Sequence, residues 1–217
     1  MNAQTQSLML QGPAGAIEAQ LDVPEPDLFA APHGTVVVAH PHPQFGGTMT
    51  NKVVQTIARA YVQCGWRAVR FNFRGVGASA GVYDHGQGEL SDLLAVVAQQ
   101  AVLDAPLALA GFSFGAFVTA HAVEALHVQR PLSSVVLVGT AASRFTVAPV
   151  PAPVHPQTLV VHGELDDTVP LSSVMEWARP QSLPVTVVPG GEHFFHGQLP
   201  LLRSLVARHV RALPGLA

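Results

Sequence analysis

Residues 106–123, PLALAGFSFGAFVTAHAV, restrict the possible folds of this chain more than any other stretch. Residues 107–110 are an apolar run of strand length that begins directly after a proline. The pattern G-x-S-x-G follows, and the residues after it stay apolar without alternation, as in a helix that is buried on most sides. The segment therefore predicts a buried strand, a very tight turn centred on Ser113 and a buried helix.

A turn of this kind suits a nucleophilic serine. A serine hydroxyl is a poor nucleophile unless it is exposed, held still and offered to a base. A sharp strand-to-helix turn projects Ser113 above the edge of the sheet, and the start of the helix directs free backbone N–H groups toward it. Gly111 and Gly115 flank the serine because a Cβ atom at either position would strike the neighbouring strand or helix. The pattern alone also occurs in ordinary structural turns, so its interpretation depends on the partners of Ser113.

Strands alternate with helices along the rest of the chain at the spacing of βα units. This alternation predicts an α/β fold with a mostly parallel, twisted sheet and helices on both faces. With 217 residues, we expect one domain that spans residues 1–217. The predicted strands are residues 7–11, 16–23, 35–40, 66–73, 107–110, 133–139, 158–162 and 185–188. The predicted helices are residues 51–64, 89–103, 171–179 and 199–213, besides the one after Ser113.

Composition and charge exclude several classes of partner. The net charge is −3 and there is no basic run, so we expect no nucleic acid partner. Residues 1–15 lack a basic segment followed by an apolar core, and the most apolar span, residues 93–111, is interrupted by polar residues and a proline. We therefore expect no signal peptide, no membrane span and a cytoplasmic protein, which a single cysteine, Cys64, also fits. The sequence leaves the oligomeric state open.

A serine nucleophile needs a base, and the base needs an acid to orient it. His193 is the candidate base among eleven histidines because it follows the last predicted strand in a glycine-flanked loop, with His196 as its nearest competitor. A metal site at these two histidines has no cysteine or carboxylate pattern behind it, so we expect no metal. Asp166 and Asp167 follow another strand and point in different directions, so only one can face the histidine. We favour Asp166, although aspartates are also common as plain turn residues.

The chain resembles the small serine α/β-hydrolases of bacteria, which include lidless carboxylesterases and dienelactone-hydrolase-like enzymes. The resemblance runs from about Gly15 to the last helix and rests on VVVAHPHPQFGGTMTNKVV, FNFRGVGASAG, GFSFGA, HGELDDTVP and GGEHFFHG, all in the family's order. It implies an α/β-hydrolase fold without a lid domain. The order Ser113, Asp166, His193 is that of this fold, and the family acid corresponds to Asp166. Ser113 stands where dienelactone hydrolases carry cysteine, so that particular chemistry is not implied.

An oxyanion hole needs two preorganised N–H donors. The first is expected from Phe114, directly after the nucleophile, and the second from the loop after residues 35–40. Members of the family often have His-Gly there, whereas this chain has His-Pro-His-Pro, and its prolines have no N–H. The expected second donor is therefore His42, with Gln44 and Phe45 as the alternatives.

Residues 140–157 are too short and too rich in proline for a helical lid, so we expect an open site. Several phenylalanines follow the strands at the same edge of the sheet and are candidates for an apolar substrate pocket, although each could equally belong to the core. They are Phe45, Phe114, Phe145, Phe194 and Phe195.

The sequence thus predicts a serine hydrolase that cleaves carboxylic esters or thioesters of small, short-chain substrates through an acyl-enzyme. This chemistry requires no metal or organic cofactor, and the expected partner is a small-molecule ester. The alternatives are a non-catalytic binding protein on the same fold, a cofactor-free perhydrolase and a peptidase. The physiological substrate cannot be named from the sequence.

Overall fold

The computed structural model of the chain describes residues 5–213, and it contains one eight-stranded sheet. The strands are β1 (Gln6–Gly12), β2 (Gly15–Asp22), β3 (Thr35–Ala39), β4 (Arg67–Phe71), β5 (Leu107–Phe112), β6 (Leu132–Val138), β7 (Thr158–Gly163) and β8 (Val185–Val188). The α-helices are α1 (Lys52–Gln63), α2 (Gln87–Gln100), α3 (Phe114–Leu126), α4 (Leu171–Ala178) and α5 (Leu199–Arg211). The predicted domain also includes residues 1–4 and 214–217, which lie outside the described residues. Residues 1–4 are also part of the N-terminal stretch in which no signal peptide is expected.

The strand order is β1-β2-β4-β3-β5-β6-β7-β8, with β1 and β2 antiparallel and all strands from β4 to β8 parallel. The strands β3 and β5 are buried along their whole length. Helices α2, α3 and α4 contribute to the core on one face, and α1 and α5 pack on the other. The predicted α/β-hydrolase architecture, with a mostly parallel sheet between two layers of helices, is confirmed.

Local sequence explains most of the element boundaries. Asn51 begins α1, because its side-chain oxygen accepts hydrogen bonds from the N–H groups of Val53 and Val54. Helix α2 begins two residues earlier than predicted, since the buried Glu89 carboxylate accepts the N–H groups of Asp84 and Gly86 and so closes the first turn. It also ends three residues earlier than predicted, at Gln100, since Ala101 has an extended backbone.

The segment between β6 and β7 folds down onto the body of the protein. Residues 152–157, within the stretch predicted to be a loop, form a short 3₁₀ helix (Ala152–Gln157). Val147, Val150 and Val154 enter the core on the face of α3. The indole N–H of Trp177 in α4 donates to the carbonyl of Ala148 at 3.2 Å. A segment that is anchored in the core by these valines and tied to α4 does not form a separate lid over the carboxyl ends of the strands.

None of the helices within residues 5–213 combines the length and the hydropathy that crossing a bilayer requires.

Candidate active site

Ser113 lies at the sharp turn between β5 and α3. Its backbone has φ 57° and ψ −116°, a conformation that a residue with a side chain rarely adopts. A Cβ atom at Gly111 would collide with the carbonyl of Gly115, and one at Gly115 would collide with the carbonyls of Ala39 and His40. The expectation that both glycines are required by close packing is therefore confirmed, and the strained turn is held between β3, β5 and α3.

His193 lies between Ser113 and Asp166. Its Nε2 atom is 3.0 Å from the Oγ atom of Ser113, and its Nδ1 atom is 2.7 Å from Oδ2 of Asp166. With the proton on Nδ1, the ring donates to the carboxylate and accepts the hydrogen bond of the serine hydroxyl. The three side chains, which come from three separate loops at the carboxyl ends of β5, β7 and β8, form one continuous hydrogen-bonded chain.

The turn after β7 aims Asp166 inward and Asp167 outward. The residue Asp166 is 5% exposed, and its Oδ1 atom accepts the N–H groups of Thr168 and Val169 at 3.0 and 2.7 Å. This leaves Oδ2 free to accept from His193. Asp167 is exposed, and among residues 5–213 its carboxylate accepts a hydrogen bond only from the Thr168 hydroxyl. The geometry therefore brings Asp166, and not Asp167, to the candidate base.

His162 lies next to this chain and was not identified from the sequence. It is fully buried, its Nε2–H donates to the carbonyl of Val169 at 2.8 Å, and the same nitrogen is 3.5 Å from Oδ2 of Asp166. Burial lowers the pKa of His162, with opposing contributions from the Val169 carbonyl and from Asp166. Its Nδ1 atom has no hydrogen-bond partner among the described residues. A neutral His162 thus packs against the acid without adding a second charge.

The loop after β3 is folded around His42. The ring Nδ1 atom of His42 accepts the N–H of Gln44 at 3.2 Å, and its carbonyl accepts the N–H of Phe45 at 3.1 Å. Of the three candidate donors in this loop, Gln44 and Phe45 are therefore already engaged. Within residues 5–213, neither the N–H of His42 nor that of Phe114 donates a hydrogen bond, and the two rings lie 4.9 Å apart.

The aromatic side chains separate into two groups around Ser113. Phe45 and Phe145 lie beside the His42 ring, at 4.7 and 6.0 Å between centroids, and Phe145 also packs on Phe114 at 5.2 Å. Phe194 lies on the opposite side, 5.1 Å from the His193 ring. Phe45 is 83% exposed and Phe194 is 42% exposed, so both present open apolar surface next to the hydrogen-bonded chain.

The assignment of Phe195 to the pocket is wrong. Phe195 has no exposed surface and belongs to the core between the sheet and the layer of α1 and α5. Its φ of 53° turns the chain after Phe194, so that consecutive phenylalanines point in opposite directions. Tyr83 lies in the site instead, with its ring 4.9 Å from that of His42. No sequence signal identified it, because it lies two residues beyond the FNFRGVGASAG motif that follows β4.

His196, the competing base, is exposed and pairs with Glu192 at 2.6 Å. Among the residues that the structure describes, no group of three or more His, Cys, Asp or Glu side chains is arranged to hold a metal ion.

No family model matches the sequence, but two solved structures are similar to it over nearly the whole chain. A lidless α/β serine hydrolase of known crystal structure from Xanthomonas campestris is 39% identical, with a TM-score of 0.85 over 99% of this chain and 98% of that one. An α/β serine hydrolase homologue from Coxiella burnetii is 36% identical, with a TM-score of 0.76 over 94% of this chain and 97% of that one.

A curated relative, an uncharacterised protein of Rickettsia prowazekii, is 38% identical over 120 residues. The match covers 54% of this chain and 48% of that protein, so it spans about half the length of the relative. The fold and the serine turn define an α/β hydrolase. From the identity and coverage shared with the two solved structures, the chain belongs to the family of lidless α/β serine hydrolases, as the resemblance in sequence implied.

The buried His40 makes the stability of the protein depend on pH. Burial lowers the pKa of His40 from 6.5 to about 4, so between these values the unfolded chain binds more protons than the folded one. The free energy of unfolding therefore falls as the pH is lowered through this window. We expect the advantage of the wild-type protein over His40→Asn, measured by urea denaturation, to shrink from pH 6.5 to pH 4. A constant difference between the two proteins would contradict a neutral, buried His40.

Proposed function

We propose that the protein is a serine esterase that cleaves carboxylic esters or thioesters of small, short-chain substrates through an acyl-enzyme, in the carboxylesterase class (EC 3.1.1). The observation that carries the proposal is the position of His193, within hydrogen-bond distance of both Ser113 Oγ and Asp166 Oδ2. Acyl transfer requires a nucleophile, a base and an acid that orients the base, and these three groups are joined here by hydrogen bonds.

In the first half of the reaction, Ser113 Oγ attacks the carbonyl carbon of the ester while its proton moves to His193 Nε2. The Asp166 carboxylate, anchored by two backbone N–H groups, keeps the ring in the Nδ1–H tautomer and stabilises the imidazolium that forms. The imidazolium then protonates the leaving alcohol or thiol. In the second half, a water molecule attacks the acyl carbon and gives a proton to His193. The bond between Ser113 Oγ and the acyl carbon then breaks, His193 returns the proton to Ser113 Oγ, and the carboxylic acid leaves.

The negative charge on the carbonyl oxygen needs donors that are in place before the reaction. The N–H groups of Phe114 and His42 are the proposed pair, because neither is used elsewhere in the described structure while those of Gln44 and Phe45 are. Phe114 is the first residue of α3, so its N–H has no carbonyl to bind within the helix.

The open aromatic surface around Ser113 supports small substrates. We assign Phe45, Phe145 and Phe194 to the acyl and alcohol sides of the pocket, together with Tyr83. The proposed partner is a small-molecule ester, and this mechanism uses no cofactor. The cytoplasmic location and the absence of nucleic acid and membrane partners remain predictions from the sequence.

Ser113→Ala should abolish the hydrolysis of p-nitrophenyl acetate and leave folding intact. Loss of the nucleophile removes about 10⁴- to 10⁶-fold of the rate, because the remaining groups cannot act alone. A fluorophosphonate probe should label the wild-type protein at Ser113 and leave the variant unlabelled, as read by mass spectrometry. Near-normal turnover by the variant, or a protein that binds an ester without cleaving it, would refute the proposed function.

Asp166→Asn and Asp167→Asn form a matched pair of isosteric changes in adjacent residues. The first should lower kcat by about 10⁴-fold, because an amide does not hold the required tautomer or stabilise the imidazolium. The second should leave kcat close to the wild-type value, because the Asp167 side chain is exposed and does not contact His193. Steady-state kinetics of both variants measure the difference, and the reverse ranking would identify Asp167 as the acid.

The rate should be highest for short acyl chains and should not rise when the substrate forms micelles. The segment between β6 and β7 is packed into the core, so no described element is free to shield a long apolar groove from water. A series of p-nitrophenyl esters from acetate to palmitate tests this expectation. A maximum at long chains, with a jump above the critical micelle concentration, would show that another part of the chain acts as a lid.

A further inference from the structure

His40 directly follows β3 and is fully buried, and both of its ring nitrogens are engaged. The N–H of Phe73 donates to Nε2 of His40 at 3.0 Å, so this nitrogen carries no proton. The proton is therefore on Nδ1, which lies 2.6 Å from the carbonyl oxygen of Pro41 and donates to it. The ring also packs on that of Phe73, with 4.7 Å between centroids. The tautomer and the orientation of His40 are thus both fixed.

The carbonyl that His40 holds belongs to the same peptide unit as the N–H of His42. The chain contains no cis peptide bond among the described residues, and in a trans peptide the C=O and the N–H point in opposite directions. The Pro41 C=O faces Nδ1 of the His40 ring, whose other nitrogen is bound by Phe73, the second residue after β4. The N–H of His42 consequently points away from the His40 ring. The strands β4 and β5, the second of which leads to Ser113, pair with β3 on opposite sides.

The neighbouring prolines leave the loop with little other means of orienting this N–H. Proline has no N–H, so His42 carries the only backbone donor between His40 and Gln44. The ring and the carbonyl of His42 accept hydrogen bonds from residues that follow it in the loop. These bonds hold the loop in place, but they do not set the orientation of the Pro41–His42 peptide. The hydrogen bond from His40 acts on that plane directly.

We propose that His40 is a positioning residue for the reaction: by donating from Nδ1 to the Pro41 carbonyl, it aims the His42 N–H at the oxyanion. This inference rests on the proposed function. His40 does not touch the substrate, and its effect is exerted through the Pro41–His42 peptide. Removing one oxyanion donor lowers kcat by about 10²- to 10³-fold. Rotating the His42 N–H away from the oxyanion should therefore lower kcat by up to the same factor.

Gly47 lies against the Pro41 carbonyl. A Cβ atom at Gly47 would collide with the carbonyl groups of Pro41 and His42, and the Gly47 N–H donates to the His42 carbonyl at 3.1 Å. Gly47→Ala therefore offers a second way to displace the peptide without any change to His40.

Two variants separate the two hydrogen bonds of His40. In His40→Asn, the side-chain amide reaches the place of Nδ1 and can still donate to Pro41, but the acceptor for Phe73 is lost. In His40→Gln, the amide reaches the place of Nε2 and can still accept from Phe73, but the donor to Pro41 is lost. His209→Gln is the control, because it alters another histidine that is bound to a backbone carbonyl, that of Gln157 at 3.1 Å, away from the site.

We expect His40→Gln to lower kcat for p-nitrophenyl acetate by about 10- to 100-fold with KM unchanged, and Gly47→Ala to change kcat in the same direction. The affinity for a trifluoromethyl ketone, whose adduct with Ser113 carries an oxyanion, should fall in parallel with kcat. His40→Asn and His209→Gln should keep most of the wild-type kcat, even if His40→Asn is less stable to urea.

The outcomes distinguish this inference from the function on which it rests. Equal losses of kcat in His40→Asn and His40→Gln, or losses that follow stability rather than the Pro41 hydrogen bond, would assign His40 a purely structural role while the esterase activity stands. A kcat of His40→Gln equal to that of the wild-type protein would also overturn the inference. Absence of ester hydrolysis by the wild-type protein would overturn the proposed function and this inference with it.

Discussion

The close approach of α3 to the end of β3 is the constraint on which the rest of the site depends. Gly115 packs against the carbonyls of Ala39 and His40 so tightly that no larger residue fits between them. This contact fixes the distance between the turn that carries Ser113 and the loop that carries His42. It also accounts for the strained backbone at Ser113, whose unfavourable φ and ψ are tolerated because buried strands and a buried helix surround the turn.

The site is built from buried neutral and singly charged groups, and most of their polar atoms are hydrogen-bonded, Nδ1 of His162 being an exception. Unpaired polar groups are costly in an interior, so each buried side chain has a constrained orientation. Asp166 is the one charged side chain within the chain of contacts from Ser113, and three N–H donors surround it. The buried histidines His40 and His162 have lowered pKa values because of their burial, and each binds a backbone carbonyl as a neutral ring. His162, which lies 3.5 Å from Asp166, therefore does not compete for the carboxylate as a cation.

The packing of the segment between β6 and β7 determines how open the site is. In this chain the segment contributes valines to the core and is bound to Trp177 of α4 and to Gln181, which lies three residues after the end of that helix. The same residues that stabilise the fold thus prevent the segment from moving over Ser113. Phe145 of this segment and Phe45 lie beside the ring of His42, and Phe194 lies beside that of His193. In the proposed function these three rings give apolar contact to a small group without enclosing it.

The sequence by itself determined the elements whose signal is local. The apolar runs, the G-x-S-x-G turn and the loops after the strands led to the sheet, the position of Ser113 and the location of His193, because each depends on a few consecutive residues. Only the tertiary structure decided which candidate faces which. Asp166 differs from Asp167 because a backbone N–H group binds its carboxylate and holds it inside the site. Phe194 and Phe195 point in different directions because Phe195 has a positive φ.

His40 shows the same limit most clearly. The sequence contains eleven histidines, and His40 is one that follows a predicted strand. Nothing in the residues around it distinguishes a histidine in solvent from one that orients a peptide. Its partner Phe73 is 33 residues away along the chain. Hydrogen bonds between such distant residues exist only after the strands have paired, so the direction of the His42 N–H is a property of the folded sheet and cannot be read from the loop alone.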